Sequence, residues 1–486
     1  MNKSKLILLL KSFSNEDSKK FKDFLNSPFF NKNKTVIKFY DALKISINES
    51  YENDENKNEK EIIYNEIFPG KKYNEQVIKN LTSELLKIVK EYFEISVYRN
   101  DKYEKKLNLL KKLAGLKADK IYLSELNSFE NDLKGLEFYS DRSFHHLFMI
   151  EELKISYHLE RNEQPKVIEN VMNSGEFLIL YFHLHLAKTI SNLNVNAQTY
   201  RVNYEYNIPE EYFIRTDYSA IIKYMKDVNF RYSELFEMYF LRVISNIAPF
   251  HEENFFKLKE LLLKNINSLD RAEVYGLFIS LEAFCMRKIN EGNLFFIKEI
   301  FGIYKIEIEK DFYKFSETSP VTFMKFRNTY LTALRLKEFD WANKFIQKFK
   351  SDLIESDKEN VLNVAYAMIS FENGEFEKTL EYIADISPSQ LYMKIDVRNL
   401  TIMSYYELGY TESVLSAIDS FRHFLSGNAA ISETMKESNF RFINSLYKLL
   451  LVNEKNKQIK LTRLKESLMP FIGERRIEWL LEKTVQ

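Results

Sequence analysis

The sequence predicts an all-α fold, and three observations lead to this prediction. Glycine and proline occur only 11 and 8 times in 486 residues, so long helices joined by short turns are expected. Apolar residues recur at three- and four-residue spacing along most of the chain, which is the period of an amphipathic helix. Residues 361–425 contain two successive helix-turn-helix units with turns at Gly374 and Gly409, 35 residues apart. These features predict a helical-repeat architecture.

The first 47 residues predict three short helices. Ser14 followed by Asp17 gives the pattern of a capping box at the start of the second helix, and Pro28 ends that helix. A third helix is expected over about 35–47.

Residues 48–60 contain one aromatic and no aliphatic residue, so they predict an exposed, mobile connector. Pro69 and Gly70 stop the short helix that follows it. A long helix is then predicted from Asn74, a suitable N-cap residue, to about Tyr98.

The middle of the chain continues the helical pattern with two interruptions. Three amphipathic helices are predicted between residues 101 and 161. Residues 164–193 predict one or two helices with a weak point at Ser174-Gly175, because both residues lower helix propensity. Residues 194–212 break the pattern, and we expect them to join the two halves of the chain.

From residue 218 the helical pattern continues almost without a break. Helix pairs are predicted at 232–247 with 252–265, 271–290 with 293–311, and 321–336 with 339–353, followed by the two glycine-turn repeats and by helices at 431–451, 460–469 and 474–483. The earlier turns, near residues 292, 337 and 374, lie 45 and 37 residues apart. The upstream units have therefore drifted from the 35-residue period.

The stretch 361–425 resembles the tetratricopeptide (TPR) family. The residues that carry the resemblance are Gly374, Glu375, Phe376 and Leu380 in the first copy, Tyr405 and Gly409 in the second, and Phe339 and Ala342 in a weaker upstream copy. Asn363 stands at the position of the motif's tryptophan. The resemblance implies a stack of helix pairs in which the first helix of each pair lines an inner surface.

Two N-terminal blocks, LLKSFSNEDSKKFKDFLNSPFFNKNK and IFPGKKYNEQVIKNLTSELLKIVKEYF, resemble those of a family of uncharacterised bacterial all-helical proteins with TPR-like C-terminal halves. That resemblance implies an architecture and brings no activity with it. Together with the helix pattern it predicts an N-terminal helical subdomain at 1–115, a middle helical segment at 116–215 and a TPR-like α-solenoid at 216–486.

Charge and composition bear on partners and compartment. The chain has 70 basic and 70 acidic residues, so it is not expected to bind polyanions as a whole. Residues 1–120 are nevertheless basic, with 25 Lys and Arg against 18 Asp and Glu. A single cysteine, Cys285, is typical of a reducing compartment. No stretch approaches the ~20 apolar residues that a membrane helix needs, so the sequence predicts a soluble, cytoplasmic protein.

Candidate catalytic and metal-binding residues do not form a recognisable motif. His183 and His185, like His145 and His146, are too close in sequence to share a helix face, whereas zinc-binding helices space their histidines four residues apart. Cys285 lies among apolar residues and is predicted to be a buried structural thiol. We therefore predict no catalytic residue, no metal site, no cofactor and a non-enzymatic function.

The most concrete function predicted from the sequence is that of a protein- or peptide-binding scaffold. The first helices at 321–336, 360–373 and 391–408 should line the inner surface, and their polar residues favour the backbone amides and carboxylates of an extended ligand. Asn363, Arg398 and Asn399 are the predicted partner-binding residues.

The alternative is a DNA-binding regulator. The short helix ending in IFPG, the turn KKYN and the long helix after it resemble the helix-turn-helix of a winged-helix domain. The residues at the start of that recognition helix would be Lys71, Lys72, Asn74, Gln76, Lys79 and Asn80. The charged, helical segment that follows does not have the alternating pattern of a wing, so binding to nucleic acid is the second hypothesis.

Overall fold

The computed structural model describes residues 4–48, 59–134, 139–199, 205–248, 251–384, 386, 390–452 and 457–484. Those residues form 24 α-helices and three short 3-10 helices. Their strand-like pairings are two isolated parallel bridges, Tyr139 with Leu269 and Val321 with Leu353. The all-α prediction is therefore confirmed.

The chain divides into two compact units, Met1–Asn131 and Asp132–Gln486. The predicted middle segment, 116–215, falls across this division. Most of the predicted connector at 48–60 lies outside the described residues.

The first unit is built around one long helix, α5. The helices of this unit are α1 (Lys5–Lys11), α2 (Asn15–Asn26), α3 (Lys34–Asn48), α4 (Glu59–Ile67), α5 (Glu75–Asn100), α6 (Lys102–Gly115) and the larger part of α7 (Asp119–Lys134). Ile78, Leu81, Leu85 and Tyr92 recur on one face of α5 and are buried. The ring of Tyr92 lies edge-on to that of Phe21 in α2, with the centroids 5.3 Å apart. This unit therefore has its own apolar core.

The predicted caps in the first unit are present. The Asp17 backbone N–H donates to the Ser14 Oγ at 3.0 Å, and the Ser14 N–H donates to the Asp17 carboxylate at 3.2 Å. Asn74 caps α5 by accepting from the Gln76 N–H at 2.9 Å. Both helix starts were identified correctly because capping is a local interaction.

The second unit is a succession of helix pairs. Its helices are α8 (Asp141–Leu159), α9 (Gln164–Thr199), α10 (Ile208–Arg215), α11 (Tyr218–Asp227), α12 (Ser233–Ile247), α13 (Glu252–Asn265), α14 (Arg271–Asn290), α15 (Phe295–Glu309), α16 (Phe323–Arg335), α17 (Phe339–Phe349), α18 (Lys358–Glu372), α19 (Phe376–Ala384), α20 (Leu391–Glu407), α21 (Thr411–Gly427), α22 (Glu433–Leu450), α23 (Lys457–Leu468) and α24 (Arg475–Lys483). None of the helices in the described part of the chain combines the length and apolar character that crossing a membrane requires.

The same turn ends four first helices of this unit. Gly292, Lys337, Gly374 and Gly409 have φ of 92°, 62°, 79° and 75° and follow α14, α16, α18 and α20 respectively. After α18, the Gly374 N–H donates to the Phe371 carbonyl at 3.0 Å and the next N–H donates to a carbonyl five residues back at 2.9 Å. This hydrogen-bond pair, typical of a left-handed helix C-cap, recurs at the other three turns. The glycine turns predicted at residues 374 and 409 are confirmed.

Of the one or two helices predicted over residues 164–193, the structure has one, and the break predicted over 194–212 is shorter than expected, because α9 extends to Thr199 and α10 begins at Ile208. The weak point predicted at Ser174-Gly175 does not interrupt the chain, since α9 is one helix from Gln164 to Thr199. Ser174 is buried, and its hydroxyl donates to the Glu152 carboxylate of α8 at 2.6 Å. Glycine costs a helix about 1 kcal/mol, and the extensive packing of α9 on α8 outweighs that cost.

Candidate functional site

A groove in the second unit is the strongest candidate site. Its volume is about 980 Å³. It is lined by residues of five successive first helices, α14, α16, α18, α20 and α22, and by the turn that precedes α24. The helices predicted at 321–336, 360–373 and 391–408 therefore all contribute residues to this groove.

Five methionines line this groove. Each of the five first helices contributes one methionine to the groove: Met286 from α14, Met324 from α16, Met368 from α18, Met403 from α20 and Met435 from α22. They are five of the 12 methionines in the chain. Methionine side chains are flexible and polarizable, so they adapt to apolar partners of different shapes. The groove therefore has an apolar floor that can adjust to a ligand.

Of the three predicted partner-binding residues, only Asn399 lines the groove. Its side-chain N–H donates to the Asn439 Oδ1 across to α22 at 3.3 Å. Its own Oδ1 is buried and has no hydrogen-bond partner. A buried carbonyl without a donor is unfavourable, so Asn399 has an acceptor to offer if the groove rearranges around a ligand.

Asn363 and Arg398 are not among the groove-lining residues. The guanidinium of Arg398 lies 4.0 Å from the centre of the Phe424 ring in α21, and it donates to the Lys394 carbonyl at 3.0 Å. Asn363 lies in the first half of α18, whereas the lining residues of that helix are at its end. Adjacent residues of a helix point about 100° apart, which separates Arg398 from Asn399.

Ion pairs neutralise most of the charge in the groove. Arg327 makes two hydrogen bonds to Asp396, one of them 2.6 Å long. Arg441 donates to Glu474 at 2.6 Å, and Arg475 pairs with Glu372. The lining arginines therefore hold the inner helices to one another and to the turn before α24.

Arg476 is different from the other lining arginines. It donates to the Asn439 Oδ1 at 2.7 Å and to the Ser438 Oγ at 2.8 Å. Within the part of the chain that the structure describes, no carboxylate makes an ion pair with it. Burial lowers the pKa of Arg476, but the ordinary value is so high that the group remains charged. The groove therefore presents one arginine without an ion-pair partner; the charges of Glu474 and Asp396 nearby favour its charged form, and Glu437 adds an exposed carboxylate to the lining.

A buried charge cluster forms part of one wall of the groove, which Glu282 and Lys325 line. The Lys325 ammonium donates to Glu282 at 2.8 Å and also to Glu307, and it lies 4.5 Å from the centre of the Tyr275 ring. Burial alone would lower the pKa of Lys325, but the charges of Glu282 and Glu307 outweigh burial and raise it. Burial raises the pKa of Glu307 well above its usual value.

This cluster does not have the chemistry of a general base or a nucleophile. A lysine acts as either when its pKa falls towards neutrality, and that of Lys325 is shifted in the opposite direction. Glu307 is fully buried and does not line the groove. The cluster therefore fits a structural role, joining α14, α15 and α16.

The C-terminal helix α24 crosses the ends of the inner helices. The last residues of α16, α18 and α20 are Arg335, Glu372 and Glu407. Arg335 donates to Glu478 at 2.6 and 2.9 Å, and Glu407 accepts from the Trp479 Nε1 at 2.7 Å. We call this segment, residues 471–483, the strap. It closes one side of the groove through contacts between residues up to 143 positions apart, which sequence patterns do not report.

His183 and Cys285, which the sequence offered as candidate metal-binding or reactive residues, both lie in the packed interior. His183 is buried, stacks on the ring of Phe236 at 3.7 Å and hydrogen-bonds to its carbonyl at 3.0 Å. Cys285 is fully buried, as predicted, and burial raises the pKa of its thiol. No group of three or more His, Cys, Asp or Glu among the described residues could hold a metal ion.

The residues of the DNA-binding hypothesis are exposed at the start of α5. Glu75 lies among them and pairs with Lys60 and Lys79 at 3.3 and 3.4 Å. The segment after α5 is the helix α6 rather than a hairpin. The basic surface is therefore partly neutralised at the position where a recognition helix would begin.

No family model, curated protein or solved structure matches this chain. The resemblance to TPR proteins and to the bacterial helical family remains a prediction. Function has to be argued from the groove.

Proposed function

We propose that this protein is a non-enzymatic binding module whose groove holds an apolar peptide segment of a partner protein. The observation that carries the proposal is the set of five methionines, one from each of five successive first helices, that line one groove of about 980 Å³. A surface that is both apolar and adaptable is better suited to binding the successive side chains of a peptide than to binding a single rigid cofactor.

Charge in the groove adds a preference to this proposal. Arg476 has no carboxylate partner among the described residues, and it lies beside Asn439 and Ser438. An arginine with free hydrogen-bonding capacity favours a carboxylate on the ligand. We therefore expect peptides that combine apolar residues with at least one acidic group.

The test is selection from a random peptide display library on the full-length chain, followed by affinity measurement with a labelled selected peptide. Met324 and Met435 are half-buried in the groove, so their replacement by glutamate together should be tolerated by the fold. We expect this double variant to bind at least ~10-fold more weakly, because two charges are placed on the apolar floor.

The matched control is Met469→Glu, which changes an exposed methionine outside the groove. It should bind as the wild type does. A second comparison tests which of the three predicted partner-binding residues contact the ligand. Asn399→Ala should weaken binding, while the double variant Asn363→Ala with Arg398→Ala should not. Equal affinities for the groove double variant and the control, at matched melting temperatures, would overturn the proposal.

Binding to duplex DNA through residues 1–115 is the alternative. It is favoured by the exposed Lys71, Lys72 and Lys79 at the start of α5. Fluorescence anisotropy with duplex DNA at two salt concentrations separates the two functions, because phosphate contacts weaken steeply as salt rises. Loss of DNA binding in a Lys71→Ala, Lys72→Ala variant, with peptide binding absent, would favour the alternative.

A further inference from the structure

The outer face of α9 carries a stripe of exposed apolar side chains. Six large apolar residues on this face each expose between 44% and 65% of their surface: Ile168, Val171, Met172, Leu178, Ile179 and Phe182. Their three- and four-residue spacing places them in one row along the helix. We call this row the α9 stripe.

The opposite side of α9 already has its partners. Asn170, Leu180, Leu184 and Ala187 are buried, and α9 packs extensively against α8 and α12. The exposed stripe is therefore a second apolar face on the same helix, with no acidic or basic residue within it. Contiguous apolar surface of this kind usually marks an interaction site.

Gly175 lies at the centre of the α9 stripe, and the fold of the chain does not account for it. A Cβ atom at Gly175 would meet nothing within 4 Å, so alanine would fit there. Alanine would also favour the helix, in whose interior glycine is unfavourable. Glycine at this position does permit another backbone to approach closely. Close approach of a second chain would therefore explain why residue 175 is glycine.

The stripe is arranged symmetrically about Gly175. Apolar residues stand three, four and seven positions before it and three, four and seven positions after it. When two such helices cross in antiparallel orientation at their glycines, each residue before Gly175 meets one after it in the other copy. Ile168 would meet Phe182, Val171 would meet Ile179, and Met172 would meet Leu178. The face is therefore complementary to itself under a two-fold axis, which is the symmetry of most homodimers.

We propose that two copies of this chain associate through the α9 stripe, with their α9 helices antiparallel and crossing at Gly175. The partner is a second copy, because the pattern on this face is matched by the same pattern reversed. Tyr212 of α10 extends the surface, since its ring lies edge-on to that of Phe182 with the centroids 5.4 Å apart. About seven side chains from each copy are far fewer than the roughly 20–30 of a standard-size interface, so the association should be weak. The dimer should therefore dissociate at micromolar concentrations.

Cysteine cross-linking of the full-length chain tests the arrangement directly. The native thiol, Cys285, is fully buried, so an introduced surface cysteine is the one that reacts. Gly175→Cys should give a disulfide-linked dimer under mild oxidation, because the two Cα atoms meet at the crossing within the ~7 Å that a disulfide spans. Glu169→Cys is the control, since it is exposed on the same helix but lies six residues from the crossing.

The orientation has its own test. In the antiparallel pair, Met172→Cys in one copy faces Leu178→Cys in the other. A mixture of the two variants should form a linked heterodimer, whereas each variant alone should link poorly. Efficient linkage of Met172→Cys to itself would indicate parallel helices and would overturn the proposed arrangement.

Sedimentation of the unmodified chain between about 1 and 100 µM, a range that spans micromolar dissociation constants, completes the test. We expect a concentration-dependent shift from monomer to dimer, which Val171→Glu with Leu178→Glu should abolish. Leu451→Glu, at an exposed apolar residue outside the stripe, should leave the dimer unchanged. A wild-type chain that stays monomeric throughout, or equal cross-linking of the Gly175 and Glu169 variants, would overturn the proposal.

Discussion

Gly473 lies against the backbone carbonyl of Ile289, so close that a Cβ atom at residue 473 would be 1.6 Å from the carbonyl oxygen. Gly473 belongs to the strap and Ile289 to the end of α14. Backbone cannot move aside as a flexible side chain can, so this contact admits only glycine. It fixes the position at which the strap begins to cross the inner helices.

Gly473→Ala should therefore destabilise the protein by at least about 2 kcal/mol, because an added methyl group must displace backbone. The measurement is urea unfolding, together with limited proteolysis of the strap. Gly427→Ala, at the end of α21, is the control, since a Cβ there meets nothing within 4 Å. Equal stability of the two variants would show that the strap does not pack as described.

Gly409→Val should destabilise the protein more than Gly427→Val does. Gly409 has a φ of 75°, a conformation that costs a non-glycine residue about 1–3 kcal/mol and is worst for β-branched side chains. Gly427 is the last residue of α21 and is not among the described glycines with positive φ. Gly409→Asn should recover part of the loss, because asparagine tolerates the left-handed region. Thermal melting of the three variants measures this, and identical melting temperatures would contradict the assigned turn.

His183 should make stability depend on pH in the acid range. Burial lowers the pKa of His183 from 6.5 to about 4. A lowered pKa stabilises the folded state above the unfolded value, so this contribution is complete above pH 6.5 and is lost as pH falls towards 4. Its size is about 3 kcal/mol. His183→Gln should flatten this part of the pH–stability curve, as urea unfolding would show.

The control for His183 is His423→Gln, which changes a histidine whose side chain is 83% exposed. That variant should retain the acid-induced loss. Titration of His183 by NMR gives a direct reading, and a midpoint near 6.5 would contradict its burial.

Glu307 should make the protein less stable as pH rises, which is opposite to the effect of His183. Burial raises the pKa of Glu307 well above the usual 4.5, and the charge of Glu282 adds to that effect while Lys325 opposes it. A raised pKa stabilises the folded state fully below pH 4.5, and that contribution is lost as pH rises through the folded-state value. Glu307→Gln should therefore lose less stability than the wild type between pH 5 and pH 8. Parallel curves for the two proteins would contradict the raised pKa of Glu307.

Lys325→Met tests the same cluster from its cationic side. Removing the ammonium leaves the buried Glu282 carboxylate without its counter-charge and Glu307 without its hydrogen-bond donor, which should cost about 3–5 kcal/mol. The free energy of unfolding at neutral pH measures this. A loss below about 1 kcal/mol would mean that the carboxylates find other partners.

The helices and their turns could be predicted because they depend on neighbouring residues. Ser14, Asn74, Gly374 and Gly409 act within one turn of chain, and such local patterns are visible in sequence. Sequence leaves one or two helices open around Gly175, because packing on α8 decides between them.

The groove required information that sequence periodicity does not contain. Asn399 faces the groove while its neighbour Arg398 packs on Phe424, and both are polar residues in the same helix. To predict which of the two residues faces the groove, one must know the angle at which successive first helices stack. Met286, Met368 and Met403 each lie four residues before the end of their helix, so an alignment of the repeats brings them together, whereas Met324 and Met435 lie near the starts of α16 and α22 and join the same groove only through the stacking.

The strap has a consequence for how the second unit unfolds. Repeat arrays in which each unit contacts only its neighbours can fray from one end, since their stability is a sum of local terms. Here Arg335, Glu372 and Glu407, from three successive first helices, are all bound by residues of one short segment. Each of these helix pairs is therefore bound to the strap as well as to its neighbours, and the strap links pairs that are not adjacent. The region from α16 to α20 should therefore behave as a single cooperative block, whose loss is all-or-none.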